Sequence, residues 1–245
     1  MTSAATMAAT QSETLLELQN VNTFYGDSHI LKNLSLRVAR AETVALLGRN
    51  GMGKTTTLKT IVGWVPPRSG KVLFDGADIA GQEMTENARA GISLVPEDRR
   101  IFTNLSVAEN LRLAQVTAPH AGWSLTEVYA RFPRLEERSR NKGDEISGGE
   151  KQMLAIARAL VQGTKLMLLD EPTEGLAPLI VREVEGIIRD IKSRGTTILL
   201  VEQNFYSALA VADRCYIVDQ GTIRYEGTPD ELRGNAEVLS RYLHV

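Results

Sequence analysis

Eight residues, Gly48-Arg49-Asn50-Gly51-Met52-Gly53-Lys54-Thr55, follow the apolar run Thr43–Leu47 and open a helical pattern over Lys54–Val62. The spacing is G-x-x-x-x-G-K-T, and strand–loop–helix is the context in which that spacing grips phosphate. Gly48, Gly51 and Gly53 let backbone N–H groups wrap an anion. Lys54 brings a point charge to the β- and γ-phosphates, and the Thr55 hydroxyl is a ligand for Mg2+. A second run, Leu166-Met167-Leu168-Leu169-Asp170-Glu171, is an apolar strand ending in two acids. Carboxylates at the end of a buried strand are costly unless something neutralises them. A Mg2+–phosphate site does so. Asp170 then completes the coordination sphere through water, and Glu171 orients and polarises an attacking water. The plain alternative is that one of these acids starts a helix before Pro172.

Ile146-Ser147-Gly148-Gly149-Glu150-Lys151-Gln152 is a second phosphate loop. Its small residues let the backbone approach an anion, and the free N–H groups of a helix start point at it. Two such loops either hold one nucleotide together or belong to halves of different sites. Tyr25, in a Tyr-Gly turn, can stack on a base; a tyrosine in a surface turn is the alternative reading.

The elements that must position these residues alternate in type. Thr43–Leu47, Ile92–Val95, Leu166–Leu169, Thr197–Val201 and Tyr216–Val218 read as strands. Their near-continuous apolarity predicts a parallel sheet covered on both faces. Leu179–Lys192 repeats Val181, Val184, Ile188 and Ile191 at helical spacing and stops at Gly195. Leu15–Val21, Leu34–Val38 and Lys71–Phe74 read as an antiparallel sheet beside the main one. Strand signals vanish from about Asp98 to Arg158, where Val107–Ala114, Leu125–Phe132 and Glu150–Leu160 read as helices. The expected organisation is a tail over 1–12 and one α/β domain over 13–245. Within it, 13–97 and 159–245 form the core and 98–158 a helical insertion carrying the Ser-Gly-Gly loop. Gly221–Val245 reads as a small, mostly helical end piece.

Composition narrows the function classes. The 245 residues are 43% hydrophobic with a formal net charge of −2, so no global attraction to nucleic acid is expected. Arg131–Lys142 is rich in basic residues, which reads as a solvated face. One cysteine, Cys215, excludes an internal disulfide and fits a reducing compartment. No apolar run approaches the roughly 20 residues that cross a bilayer. The N-terminal Ala/Ser/Thr-rich stretch lacks the basic and apolar regions of a signal peptide. A soluble chain is expected, reaching a membrane only through a partner.

The order Tyr25, Gly48–Thr55, Ser147–Gln152, Asp170-Glu171 resembles the nucleotide-binding subunit of ABC transporters over nearly the whole chain. The resemblance implies a P-loop NTPase (RecA-like) core with an antiparallel β subdomain and a helical subdomain. It implies ATP held by Tyr25, Gly48, Asn50, Gly51, Gly53, Lys54, Thr55 and Thr56, with Mg2+ at Thr55, Asp170 and Glu97. It also implies that two cassettes pack head to tail, so that Ser147, Gly148 and Gly149 serve a partner's nucleotide. Permease subunits, an extracytoplasmic solute-binding protein and a peripheral location at the cytoplasmic face of the inner membrane follow from the same resemblance.

Three positions depart from the general family pattern. Glu97 stands where Gln is usual, Ala177 where Asp is usual, and Gln203 where a switch His is usual. Gln can hydrogen-bond a γ-phosphate but carries no charge. Taken with Arg99–Phe102, Glu174–Pro178 and Val201–Asn204, these departures are similar to the second ATPase of branched-chain amino acid (Liv-type) importers. That group implies a heterodimer of related cassettes, a homodimer remaining open, with Glu171, Gln203 and Lys54 as catalytic residues. Related importers for urea, amides or aromatic acids, and a non-transport ABC ATPase, remain the alternatives.

Overall fold

The computed structural model describes residues 14–243; the tail expected over 1–12 lies outside them. Two sheets form the frame. The larger has the order β10-β9-β3-β8-β7-β6, built from β3 (Thr43–Leu47), β6 (Ile92–Val95), β7 (Leu166–Asp170), β8 (Thr197–Glu202), β9 (Arg214–Asp219) and β10 (Thr222–Gly227). Its strands pair in parallel except for β10, which runs antiparallel to β9 at the edge. The smaller sheet has the order β2-β1-β4-β5, with β1 (Thr14–Tyr25), β2 (Ser28–Ala39), β4 (Ser69–Phe74) and β5 (Ala77–Asp78), all antiparallel.

The central strands are apolar at every position because both faces are covered. Successive residues alternate between cores. Leu166 and Leu168 join the small sheet's core, whereas Met167 and Leu169 face the helices. Val44 and Leu46 likewise meet the small sheet, and Ala45 and Leu47 pack against α8 (Phe205–Val211). Each fully buried Val, Leu or Met among these contributes about 1.5–3 kcal/mol.

The other helices are α1 (Lys54–Ile61), α2 (Met84–Ala90), α3 (Val107–Val116), α4 (Leu125–Arg131), α5 (Pro133–Glu137), α6 (Gly148–Val161), α7 (Pro178–Ser193), α9 (Pro229–Arg233) and α10 (Ala236–Val238), followed by a π-helical turn, Leu239–Leu243. Their boundaries follow local chemistry. Ser106–Glu109, Ser124–Glu127, Ser147–Glu150 and Thr228–Glu231 are reciprocal capping boxes. Pro178 starts α7, whose Val184, Ile187, Ile188 and Ile191 share one buried face. No helix among the described residues is long and apolar enough to cross a membrane.

The end piece differs from the sequence expectation. Residues 222–227 form a strand, because Ile223 and Tyr225 alternate with polar neighbours and pair with Val218 and Ile217. The first two strands run twelve residues each, well beyond the apolar runs that signal them, since their polar ends stay paired. The helices α2 and α5 carry too few apolar repeats to stand out in the sequence, and α8 is apolar but only seven residues long.

Candidate active site

The phosphate loop leaves the end of β3 and enters α1. Gly48 is forced: a Cβ there would lie 2.5 Å from the Val218 carbonyl oxygen on β9. Gly53 caps α1 at φ 108° with no side-chain cap, so the first N–H groups of the helix face outward unclaimed. Gly51 stands in open space at φ 79°. Together these features make a concave, amide-lined cradle for an anion. Lys54 lies within it, 4% exposed. Its Nζ donates to the carbonyls of Gly48 (2.8 Å) and Arg49 (3.2 Å) and sits 3.2 Å from Glu171 Oε1.

The acids arrive from β7. Thr55 Oγ1 donates to Asp170 Oδ1 at 3.0 Å, so two expected metal ligands already touch. Glu171 adopts a left-handed backbone, φ 48°, and its N–H donates to Val201 O on β8 at 2.9 Å. Burial pushes the Asp170 carboxyl up to about 6, against the Thr55 hydrogen bond and with help from Glu171 and Glu97. A hydrogen bond to Glu171 and partial burial raise Glu174 to about 7. Burial also raises Glu202, whose carboxylate accepts from Thr173 N (3.2 Å) and Thr173 Oγ1 (2.7 Å). Asp170, Glu174 and Glu202 thus all feel the charge of Glu171, which pairs with Lys54, an arrangement that favours an added cation.

The donors present are a hydroxyl and a carboxylate, hard oxygens suited to Mg2+. That ion typically takes one or two protein carboxylates and fills its shell with phosphate oxygens and water. No cluster of three or more His, Cys, Asp or Glu that could hold a metal ion is found among the described residues. Thr55 and Asp170 therefore fit the ion. Glu97 is exposed, near enough for its charge to act on Asp170 and Glu174.

Gln203 shares an open cavity of about 700 Å³ with Glu171, Glu174, Glu202 and Asn204. Ala177 is the N-cap of α7 and offers no side-chain cap. Ser147, Gly148 and Gly149 have different neighbours. A Cβ on Gly149 would lie 2.8 Å from Ile180 Cγ2, and Gly148 lies beside the Arg99 guanidinium. The phosphate loop instead adjoins Leu31, Val218 and Gly221. Tyr25 ends β1 at the hairpin tip, 45% exposed.

One residue of the loop's support was missed in the sequence. Gly221 N–H donates to Met52 O in the phosphate loop (3.0 Å), and Gly221 O accepts from Lys32 N–H on β2 (2.8 Å). A Gln-Gly pair between two strand-like runs was the available signal.

The fold and the acid–phosphate-loop geometry define a P-loop ATPase, and comparison with known proteins places it more closely. The pattern of the ABC transporter family matches residues 31–174, and the chain belongs to that family as an ATP-binding subunit, an ATPase whose hydrolysis drives transport. It is similar to the high-affinity branched-chain amino acid transport ATP-binding protein BraG of Pseudomonas aeruginosa, 39% identical over 94% of this chain and 99% of that protein. It is also similar to the lipopolysaccharide export system ATP-binding protein LptB of Escherichia coli, 35% identical over 93% and 96% of the two chains. The crystal structure of an ATP-binding cassette of an ABC transporter in its ADP conformation superimposes with a TM-score of 0.81. It is 25% identical, covering 93% of this chain and 95% of that one. ATPases of this family dimerise and act with permease subunits.

Proposed function

We propose that this chain powers an importer for branched-chain amino acids or similar small solutes, pairing with a related cassette at the cytoplasmic face of permease subunits. The observation that carries this reading is the end-to-end likeness to BraG, supported by the Glu97, Ala177 and Gln203 combination. The LptB likeness favours a second reading, lipopolysaccharide export.

In the proposed mechanism, Tyr25 stacks on the base, and the amides of Gly48–Thr55, with Asn50 and Thr56, wrap the phosphates. Lys54 exchanges the Gly48 and Arg49 carbonyls and Glu171 for the γ-phosphate. That exchange frees Glu171 to accept a hydrogen bond from the attacking water and draw its proton away. Thr55 and Asp170, with Glu97 near, would hold Mg2+, which would supply positive charge to offset that of the phosphates. Gln203 donates to the γ-phosphate from its amide. Ser147, Gly148 and Gly149 cap the ATP held by the partner, so the closed dimer is favoured only while the γ-phosphate is intact. The helices between residues 98 and 158, with the Glu97 hinge, carry the motion to the permeases, and a solute-binding protein delivers the cargo.

The test is reconstitution of the chain with its co-purifying permeases and binding protein in proteoliposomes. Leucine, isoleucine or valine should stimulate ATP hydrolysis. Stimulation only by urea, amides or aromatic acids would redirect the solute assignment, and stimulation only by lipopolysaccharide would establish the second reading. Purification on nucleic acid with no membrane partner would overturn both.

A further inference from the structure

The hairpin that carries Tyr25 is not held by regular strand pairing. The register of β1 against β2 shifts between Leu18 and Val21, between Val21 and Thr23, and between Thr23 and Phe24. Such irregularities bend a ladder and leave backbone groups unpaired, so side chains must set the direction of the tip.

Asn22 is the first of these. Its Oδ1 accepts from the Asn33 N–H at 3.0 Å and lies 3.0 Å from His29 Nε2. Its Nδ2 donates to Asn20 O (2.9 Å), Asn33 Oδ1 (2.9 Å) and Ser69 Oγ (3.1 Å). Because Oδ1 already acts as an acceptor, the His29 proton sits on Nε2.

Phe24 is the second. Its ring stacks on His29 at 4.1 Å and 9°, and the Arg68 guanidinium lies 4.1 Å from the same centroid. Two groups that close to one centroid cannot share a face, so the ring is sandwiched. Arg68 belongs to the connection before β4, outside the hairpin. Its N–H donates to Asn22 O at 2.8 Å, and its side chain donates to the carbonyl of Gly26, the residue after Tyr25. Neighbouring strand residues point to opposite faces, so clamping Phe24 on one side commits Tyr25 to the other.

We infer that Arg68, through Phe24 and the Gly26 carbonyl, is a positioning residue that aims Tyr25 at the base of the bound nucleotide. This inference rests on the reading of Tyr25 as the base-stacking residue.

The experiment compares ADP with pyrophosphate, which lacks the nucleoside, by calorimetric competition on the full-length chain. Arg68→Ala should weaken ADP about two- to fivefold, the range of an exposed cation–π contact, and leave pyrophosphate unchanged. Tyr25→Ala should weaken ADP by about fivefold or more, the range of base–aromatic stacking, again with pyrophosphate unchanged, and the double variant should be no weaker than Tyr25→Ala alone. Arg68→Lys, which keeps the charge but not the flat stack, should recover only part of the loss. Equal loss for both ligands, or none for either, in Arg68→Ala would overturn the positioning role while leaving Tyr25 as read, provided Tyr25→Ala still weakens ADP. Additive losses would mean that Arg68 meets the base itself and would overturn it as well. A Tyr25→Ala variant that binds ADP normally would remove the stacking reading and the clamp together.

Discussion

Lys54 Nζ and Glu171 Oε1 lie 3.2 Å apart, with side chains only 4% and 9% exposed. The lysine proposed to grip phosphate and the carboxylate proposed to activate water thus neutralise each other. Any γ-phosphate must compete for that lysine, and winning the competition releases Glu171. Glu171→Gln should keep ADP affinity within about twofold while lowering kcat of the assembled transporter by at least about 100-fold, as for loss of a general base. Phosphate release and equilibrium binding on the same preparation check both halves. An unchanged kcat would mean that another group activates the water.

The raised acids predict an unusual pH response. Asp170 moves from 3.8 to about 6 and Glu174 from 4.5 to about 7, so the folded state holds their protons more tightly than the unfolded chain. Stability from these groups is therefore greatest below the unfolded values and falls as pH rises through the two windows, levelling off above about 7. Nucleotide-free protein should melt at a higher temperature at pH 5.5 than at pH 7.5, and Glu174→Gln should flatten the upper part of the slope. The Mg2+-dependent gain in ADP affinity should run the other way, shrinking as pH drops below about 6 and Asp170 takes up its proton. Thermal melts and calorimetry across pH check the two trends.

Much of the site was legible because its chemistry is local. Gly48–Thr55 and Asp170-Glu171 lie at the ends of apolar runs, and the strand–loop–helix context around them announces an anion. Part of what was illegible depends on partners far away in the chain. Nothing near Gly221 says that its amide will meet Met52, because that contact closes across β9 and the phosphate loop. The β10 strand was hidden for a different reason: it pairs with its chain neighbour β9, but Thr-Ile-Arg-Tyr-Glu-Gly is an edge strand, half wet, and carries only two apolar residues. Glu174 and Glu202 lie in the runs Glu174–Pro178 and Val201–Asn204, but nothing in those runs says that the fold draws both acids to Glu171.

Gly221 should be intolerant of any side chain. A Cβ there would fall 1.7 Å from the Ile30 carbonyl oxygen, in a backbone at φ 78°. Gly221→Ala should cost at least about 3 kcal/mol, since backbone and not a yielding side chain stands in the way. Gly76 is the control, with φ 80° and open space around it. Gly76→Ala should lose only about 1–2 kcal/mol from its left-handed conformation. Urea unfolding of the two variants against the parent gives the comparison.

Ser147 separates the two roles of a cassette. It caps α6 through Glu150 and is exposed, and its neighbour Gly148 lies beside Arg99. Ser147→Arg should leave ADP binding to the isolated chain unchanged yet lower hydrolysis in the assembled dimer at least about tenfold, by blocking the partner's γ-phosphate. Loss of ADP binding by the isolated chain would show that the loop serves its own nucleotide.

Strand β3 carries the phosphate loop at its end, and its two neighbours in the sheet are β8 and β9. Those neighbours begin at Thr197 and Arg214. During synthesis the loop therefore emerges early and waits. At about 5–20 residues per second, the ribosome needs on the order of ten seconds to deliver the strands that flank it. A nascent chain stalled before β8 holds every residue of the G-x-x-x-x-G-K-T run and neither of the strands that flank β3. The shape of the phosphate loop thus waits on β8 and β9 and not on the loop's own synthesis.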